Sequence, residues 1–470
     1  MLAGGCLQRT PKAAGSLSVL AAMLVMMLGA ATPNIADAAR IITVDDAIGI
    51  ALERNVTLNE VRVTAGLNNV AVSEAYMNFL PNLTLNASGG RNYGRYFNSA
   101  LGSYVDQTSQ SLVLGASSGV TLFAGLHDVA TLRQARSNDR AGRLDLGRAE
   151  QTTVYTVIAN FLALILQQDQ LQVAREELTA EAALEDKIHE YVKSGSRASA
   201  DLYEQQAIVA SAKLSVVRAE NAAELSKVDL MGTLQLDPVE SYEFVAPRLE
   251  SLYGSENADL RDLVARALAQ RSDLQAEQAR LNAFEQGIHV ASSSYWPTLS
   301  VQAGLGSNYD SLIPQSFDAQ LNAYRNESLA LNVTVPLFDR GVTHNAVRRA
   351  RLQAQNERIV LDGLRHDVEL QVKRVYLDYH AARDQLTAAE GQQQAAKLAV
   401  DSAQERFKAG VAILVEVSQA RSLYVQAEAA LATARNNVAL QSALMNYYLG
   451  QTQATKSTLP ASDAAALQGG

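Results

Sequence analysis

Cysteine occurs once in these 470 residues, at Cys6, so a mature chain starting beyond it has no thiol for a disulfide, a thiolate metal site or a nucleophile. Aromatic residues make up only 6% and charged residues 19%, beside abundant Ala, Gln and Leu. That mix suits long helices packed by small side chains rather than an aromatic-rich globular core. Basic residues are outnumbered, the formal charge being −9, and no basic cluster is interleaved with aromatics, which argues against a nucleic-acid partner. No P-loop, GxSxG, glycine-rich dinucleotide turn or HExxH occurs, and no paired carboxylates flank a pocket; neither enzyme chemistry nor a cofactor is expected. His344, His366 and His380 do not make a metal site, since the last two stand 14 residues apart, about 21 Å along a helix. Past the N-terminus no uninterrupted apolar run reaches the length of a spanning helix; the richest, Val154 to Leu166, is broken by Asn160.

What is present begins with an address. Arg9 and Lys12 precede the apolar run Leu17 to Ala31, and Ala36-Asp37-Ala38 follows with the A-x-A pattern of secretory cleavage, so residues 1–38 are expected to be removed. Cys6 precedes that run, the wrong side for a lipid-acceptor cysteine.

The dominant feature is a duplication. Ala51 to Gly90 falls without a gap on Ala267 to Gly306, 216 residues later, with Leu58 meeting Leu274, Pro81 meeting Pro297 and NLTLNA meeting TLSVQA. At a shift of 215 the match continues: Leu122-Phe123 meets Leu337-Phe338, Arg133 to Arg136 meets Arg348 to Arg351, and Lys193-Ser194-Gly195 meets Lys408-Ala409-Gly410. A period this long is a doubled half-molecule, not a solenoid. The divisions expected are a first repeat at 39–236, a linker at 237–257, a second repeat at 258–450 and a disordered tail at 451–470 rich in Ala, Ser and Thr.

Within each repeat the spacing of apolar residues changes twice. A helix is expected from Val44, capped by Asp45 or Asp46, to about Phe79, where Pro81 stops it. Leu83, Leu85 and Ala87 then alternate with polar residues as in a strand, a Gly-, Asn- and Tyr-rich loop is expected at 89–110, and a second strand at 112–123. From His127 to Tyr191 there is no proline and the apolar period is helical, giving a helix on the order of 100 Å long that must pack against parallel neighbours. The turn at Ser194-Gly195-Ser196 reverses it, and a helix returns over Ser199 to Leu234. The second repeat follows the same order: a helix to Tyr295, Pro297, a strand at 299–305, a loop at 307–326, a strand at 329–337, a helix from Thr343 to Lys408, a turn at Ala409-Gly410-Val411 and a helix to Leu449. Phe79, Tyr295 and Trp296, just ahead of the strand-opening prolines, suit an aromatic belt at a membrane surface.

Four strands of bilayer length with one apolar face cannot close a barrel, and an open sheet edge is not tolerated in lipid. Three chains would supply twelve, an even number within the range of outer-membrane barrels. The charged long helices would project from that barrel into water, making a conduit. The alternative from composition is a secreted structural coiled-coil protein whose strands pack in a soluble cap.

The doubled order helix, strand, strand, helix, helix, with Phe407-Lys408-Ala409-Gly410 at the turn and Val415-Glu416-Val417 after it, resembles the TolC family of outer-membrane efflux and secretion ducts. The resemblance spans about Ile42 to Gly450. It implies an α+β membrane protein, a homotrimer whose twelve-stranded barrel in outer-membrane lipid continues as a periplasmic α-helical coiled-coil tunnel. It also implies a periplasmic adaptor (membrane fusion) protein and an inner-membrane transporter of RND, ABC or MFS type as partners. On that reading Gly195, Gly410, Ser194 and Ala409 form the hairpin tips that dock the adaptor, and Pro81 and Pro297 mark the helix-to-barrel junctions. Glu416, and Asp201 in the first half, stand where the family has an acidic ring at its constriction. Gln419 occupies the family's second acidic position, and Phe407 and Ala412 occupy those of a tyrosine and an arginine that latch the closed state, so the resemblance carries no latch to this chain.

Overall fold

The computed structural model describes residues 40–98, 102–245 and 259–451. The expected signal segment, Cys6 and the tail beyond Gln451 lie outside the described residues.

Chain order is β1 (Arg40–Ile42), α1 (Val44–Arg54), α2 (Val56–Met77), β2 (Asn82–Asn98), β3 (Ser103–Ala124), α3 (His127–Lys193), α4 (Ser199–Leu234) and β4 (Tyr242–Phe244). The second half runs α5 (Leu260–Gln270), α6 (Ser272–Ser293), β5 (Thr298–Asp310), α7 (Phe317–Ala323), β6 (Asn326–Thr334), α8 (Val342–Lys408) and α9 (Leu414–Tyr448).

The long helices form as their composition demands. Helices α3 and α8 are each 67 residues, about 100 Å, and each pairs with its returning partner, α4 or α9. The apolar run in α3 is core rather than membrane span: Val157, Phe161, Leu162, Leu164 and Ile165 are buried with Ala47 and Ala51 of α1, Leu230 and Leu234 of α4, and Ala439 of α9. A second core in the other half joins Leu263, Leu274 and Leu281 to Leu361, Val368, Val372 and Val375 of α8 and Leu449.

Several boundaries differ from the sequence expectation. The opening helix of each repeat is two helices, broken at Asn55 and at Arg271. Asn55 leaves the helical conformation and its side-chain oxygen accepts the Leu58 N–H at 3.0 Å, capping α2. Neither Asp45 nor Asp46 is the first N-cap. Thr43 is, its hydroxyl accepting from the Asp46 N–H at 3.2 Å while the Asp46 carboxylate accepts from the Thr43 N–H at 3.1 Å. Those bonds to Thr43 hold the Asp46 carboxyl below its ordinary range. The expected linker at 237–257 contains β4, which pairs in parallel with β1 beside the first core.

The expected loop at 89–110 is mostly strand. β2 and β3 pair in unbroken register from Asn82 with Gly119 to Asn98 with Ser103. Gly, Asn and Tyr read as loop in a sequence, but a hairpin whose two faces both carry polar residues needs no apolar alternation. The second hairpin is shorter, with α7 folded into its connection, and β6 ends at Thr334 rather than Leu337, ahead of Pro336, which has no N–H for a ladder.

The four long strands form one antiparallel sheet in the order β2-β3-β5-β6, with β2 and β6 at its edges. Register fixes its faces. Leu85 pairs with Ala116, Ala116 with Leu305, Val120 with Val301, and Val301 with Leu331, so directly opposed apolar residues share one side. The other side is concave and carries Asn82, Ser117, Thr121, Ser300, Gln302 and Ser328 around an open hollow of about 780 Å³. On the convex side Leu85 is 84% and Leu329 80% exposed, which a water-facing sheet would not tolerate.

Candidate functional site

The hairpin tips are built twice in the same way. At the end of α3 the Ser196 N–H donates to the Tyr191 carbonyl at 2.8 Å and the Gly195 N–H to Val192 at 3.0 Å. At the end of α8 the Val411 N–H donates to Arg406 at 2.9 Å and the Gly410 N–H to Phe407 at 3.1 Å. Both are Schellman closures, and both need the left-handed residue that Gly195 (φ 72°) and Gly410 (φ 73°) supply. Ser194 and Ala409 are the C-cap residues ahead of them, exposed to solvent.

Inside the tip Ile188, Ala403, Phe407, Ala412, Leu414 and Val417 form a small core that joins the two hairpins. Phe407 and Ala412 are therefore packing residues here. The Arg197 guanidinium of the first hairpin lies 4.4 Å from the Phe407 ring centroid of the second.

The expected acidic positions both begin return helices. Asp201 stands in the first turn of α4 and Glu416 in the first turn of α9, where a helix dipole favours a carboxylate. Each is paired with an arginine: Asp201 with Arg197, four residues before it, at 3.7 Å, and Glu416 with Arg406, across the turn, at 3.1 Å. Gln419 is exposed on α9.

Above the tip lies a polar junction that sequence reading missed. Glu181 of α3 is 2% exposed, yet its carboxylate accepts from the Gln205 amide of α4 at 2.6 Å and stands 3.3 Å from Arg421 Nε of α9. Burial and the nearby Glu181 charge push the Glu177 carboxyl up, with Arg421 opposing. A glutamate on the apolar face of α3 was the available signal, but only the fold shows that an arginine of the other repeat meets it.

At the opposite end of the helices the two junctions also match. The Leu80 N–H donates to Met77 and the Trp296 N–H to Ser293, each at 2.9 Å, before Pro81 and Pro297 open their strands. Phe79, Tyr295 and Trp296 are exposed there. Gly125, at φ 60°, turns β3 into α3 directly against this second junction; a Cβ on it would lie 2.5 Å from the Ser293 carbonyl oxygen.

Among the described residues no group of three or more His, Cys, Asp or Glu is arranged to hold a metal ion. The features that converge are mechanical and electrostatic: a two-faced sheet, two helical hairpins whose longer arms are about 100 Å, and acids at the tips.

Known proteins share this build. The chain is 24% identical over 415 residues to the outer membrane efflux protein BepC of Brucella suis, covering 86% of this chain and 84% of that one. It is 25% identical over 334 residues to the pyoverdine export outer membrane protein OpmQ of Pseudomonas aeruginosa, covering 69% and 66%. The crystal structure of the Campylobacter jejuni CmeC outer membrane channel superposes with a TM-score of 0.75 at 16% identity, over 87% of this chain and 85% of that one. The family model described as outer membrane efflux protein matches residues 47–234 and 263–451, one match on each repeat. The secreted structural coiled-coil alternative gives way to that match: the chain belongs to the outer membrane efflux protein family and is an outer-membrane protein.

Proposed function

We propose that three copies of this chain close into a twelve-stranded barrel continued by a helical tunnel, and that this duct passively conducts cargo from a periplasmic adaptor and an inner-membrane transporter to the exterior. The observation that carries the reading is the pair of open flanks on one chain. The unpaired strand edges are β2 and β6, and the uncovered helix flanks lie on α2 and α4 at one side and on α8 at the other. An open edge cannot remain in lipid, and unlike flanks joined head to tail give a closed ring.

The apolar convex face then meets the bilayer and the neutral polar face lines the barrel. The tips built on Gly195 and Gly410 are the adaptor-docking points. Asp201 and Glu416 border the narrow end, where three acidic copies would favour cations. Arg197 and Arg406 offset part of that charge, so the selectivity is mild.

The test is detergent extraction followed by planar-bilayer recording. The expected species has about three times the mass of the mature chain and cation-preferring conductance, and Glu416→Gln reduces that preference without abolishing current. A monomer that forms no channel would sink the duct, while a channel with unchanged preference in Glu416→Gln would remove Glu416 from the constriction.

A further inference from the structure

The first hairpin outruns the rest of the sheet. β5 ends at Asp310 and β6 begins at Asn326, whereas β2 and β3 continue as a two-stranded ribbon to Asn98 and Ser103. Because their register has no break, parity carries the face assignment up the ribbon. The convex side of β2, apolar at Leu83, Leu85 and Ala87, becomes Arg91, Tyr93 and Arg95.

Height decides what meets those residues. From Leu83 to Arg91 is eight residues, roughly 26 Å along the strand; at a tilt near 40° that is about 20 Å along the membrane normal, and Arg95 lies about 30 Å up. The apolar band of an outer-membrane barrel is about 25 Å tall, so the two arginines straddle its outer margin.

Their surroundings are built for an oxyanion. The Arg91 guanidinium lies 5.1 Å from the Tyr93 ring centroid, and Arg95 lies 5.9 Å from that of Tyr104. Tyr104 packs edge-on against Phe97 at 5.3 Å. Stacking holds each guanidinium along the ribbon and leaves N–H groups to donate outward. Across the ladder Gln110 stands opposite Arg91 and Thr108 opposite Tyr93, adding neutral donors; Asp106, opposite Arg95, is the one acid on this part of the face. Among the described residues neither arginine is ion-paired.

We propose that this outward face binds the phosphorylated headgroups of the glycolipid in the outer leaflet, with Arg91 and Arg95 donating to phosphate and Tyr93 and Tyr104 lying against sugar rings. The site rests on the reading that the convex face meets lipid, and it is continuous with that face.

The test uses the purified full chain and two probes: lipopolysaccharide, and the same lipid stripped of phosphate. Entry into liposomes is measured first by co-sedimentation. The expected result is about tenfold tighter binding of the phosphorylated form, as two arginines at a lipid surface give, falling to roughly twofold or less in R91Q/R95Q and only partly kept in R91K/R95K, which retains the charge and loses the stacking. Equal affinity of the wild type for both lipids, or an undiminished preference in R91Q/R95Q, would overturn the site. Full displacement of the lipid by excess inorganic phosphate would also overturn it, leaving a free-anion site instead. Failure to enter liposomes would overturn the lipid-facing assignment and the site together; entry without phosphate discrimination would overturn the site alone.

Discussion

Helix α6 lies against two long helices of this chain, α8 of its own half and α3 of the other, whereas its repeat counterpart α2 lies against α3 alone. The face that α6 turns to α3 carries Ala279, Ala283 and Arg280, with Arg280 paired to Asp145 of α3. At the repeat-equivalent positions α2 carries Val63, Leu67 and Thr64, and α8 carries Val360 where α3 has Asp145. Ala279 and Ala283 are both buried at 3%, while Val63 and Leu67 are 65% and 63% exposed. One ancestral groove has therefore been filled in two ways. Inside the chain it is close-packed and pinned by an ion pair; at the flank it is bulky and apolar, the surface that a second copy would cover.

The widest separation between the grooves should come from one substitution made in each. Ala283→Asp places a carboxylate without a partner against α3, costs about 3 kcal/mol or more, and should leave a chain that does not fold, read by circular dichroism in detergent. Leu67→Asp, its counterpart, should leave helicity unchanged and abolish the trimer, read by sedimentation. A trimer that survives Leu67→Asp would mean that α2 is not the seam. A milder version contrasts truncations: Leu281→Ala removes a side chain from the second core and should cost about 2–4 kcal/mol, whereas Leu67→Ala should cost the single chain almost nothing and weaken only assembly.

The tips are where the halves agree, so the expected effects are equal. Gly195→Ala and Gly410→Ala each force a Cβ into the left-handed region at about 1 kcal/mol. Neither Cβ would meet a neighbour, so the loss should be local, seen as faster amide exchange in the last turns of α3 or α8. Unequal effects would show that one tip is held by something beyond its turn.

What the sequence disclosed follows the range of each interaction. The long helices were legible to within a residue or two because α3, α4, α8 and α9 depend on local periodicity and on proline-free length. Gly195 and Gly410 were legible because a single residue type meets the backbone demand. The helix breaks at Asn55 and Arg271 were not, since each interrupts an apolar pattern that resumes at once. Nor was the connection after β5, which is held by Gln320: this fully buried side chain donates to the carbonyls of Asp310, Ile313 and Gln315 and accepts from the Asp310 N–H. At the tips the acids were visible, but the Arg406 partner of Glu416 was not, because the two meet only once α8 and α9 are folded together.

The smallest expected effect separates the halves by pH. Where α6 meets α8, Glu357 faces Glu277; burial, and then the hydrogen bond and charge of Glu277, push Glu357 up from 4.5 to about 7, with Arg280 opposing. Arg280 also donates to Glu277 at 2.6 Å and holds Asp145 of α3, and Arg358 pairs with Glu285 of α6 at 2.9 Å. A carboxyl whose folded pKa is raised keeps its proton longer in the folded state, so its contribution is intact below about 4.5 and is lost as pH rises through about 7. The α6/α8 contact should therefore loosen between pH 5 and pH 8, and Glu357→Gln should remove that trend, raising the melting temperature at pH 8 by roughly 2 °C. The first half offers a built-in control. Its equivalent positions are Val61 and Gly142, which do not titrate, and a Cβ on Gly142 would meet the Asn68 side chain at the α2/α3 contact. Amide protection factors, corrected for the pH dependence of intrinsic exchange, should change at the α6/α8 contact and stay flat at the α2/α3 contact around Gly142; a change of equal size at both contacts would sink the assignment to Glu357.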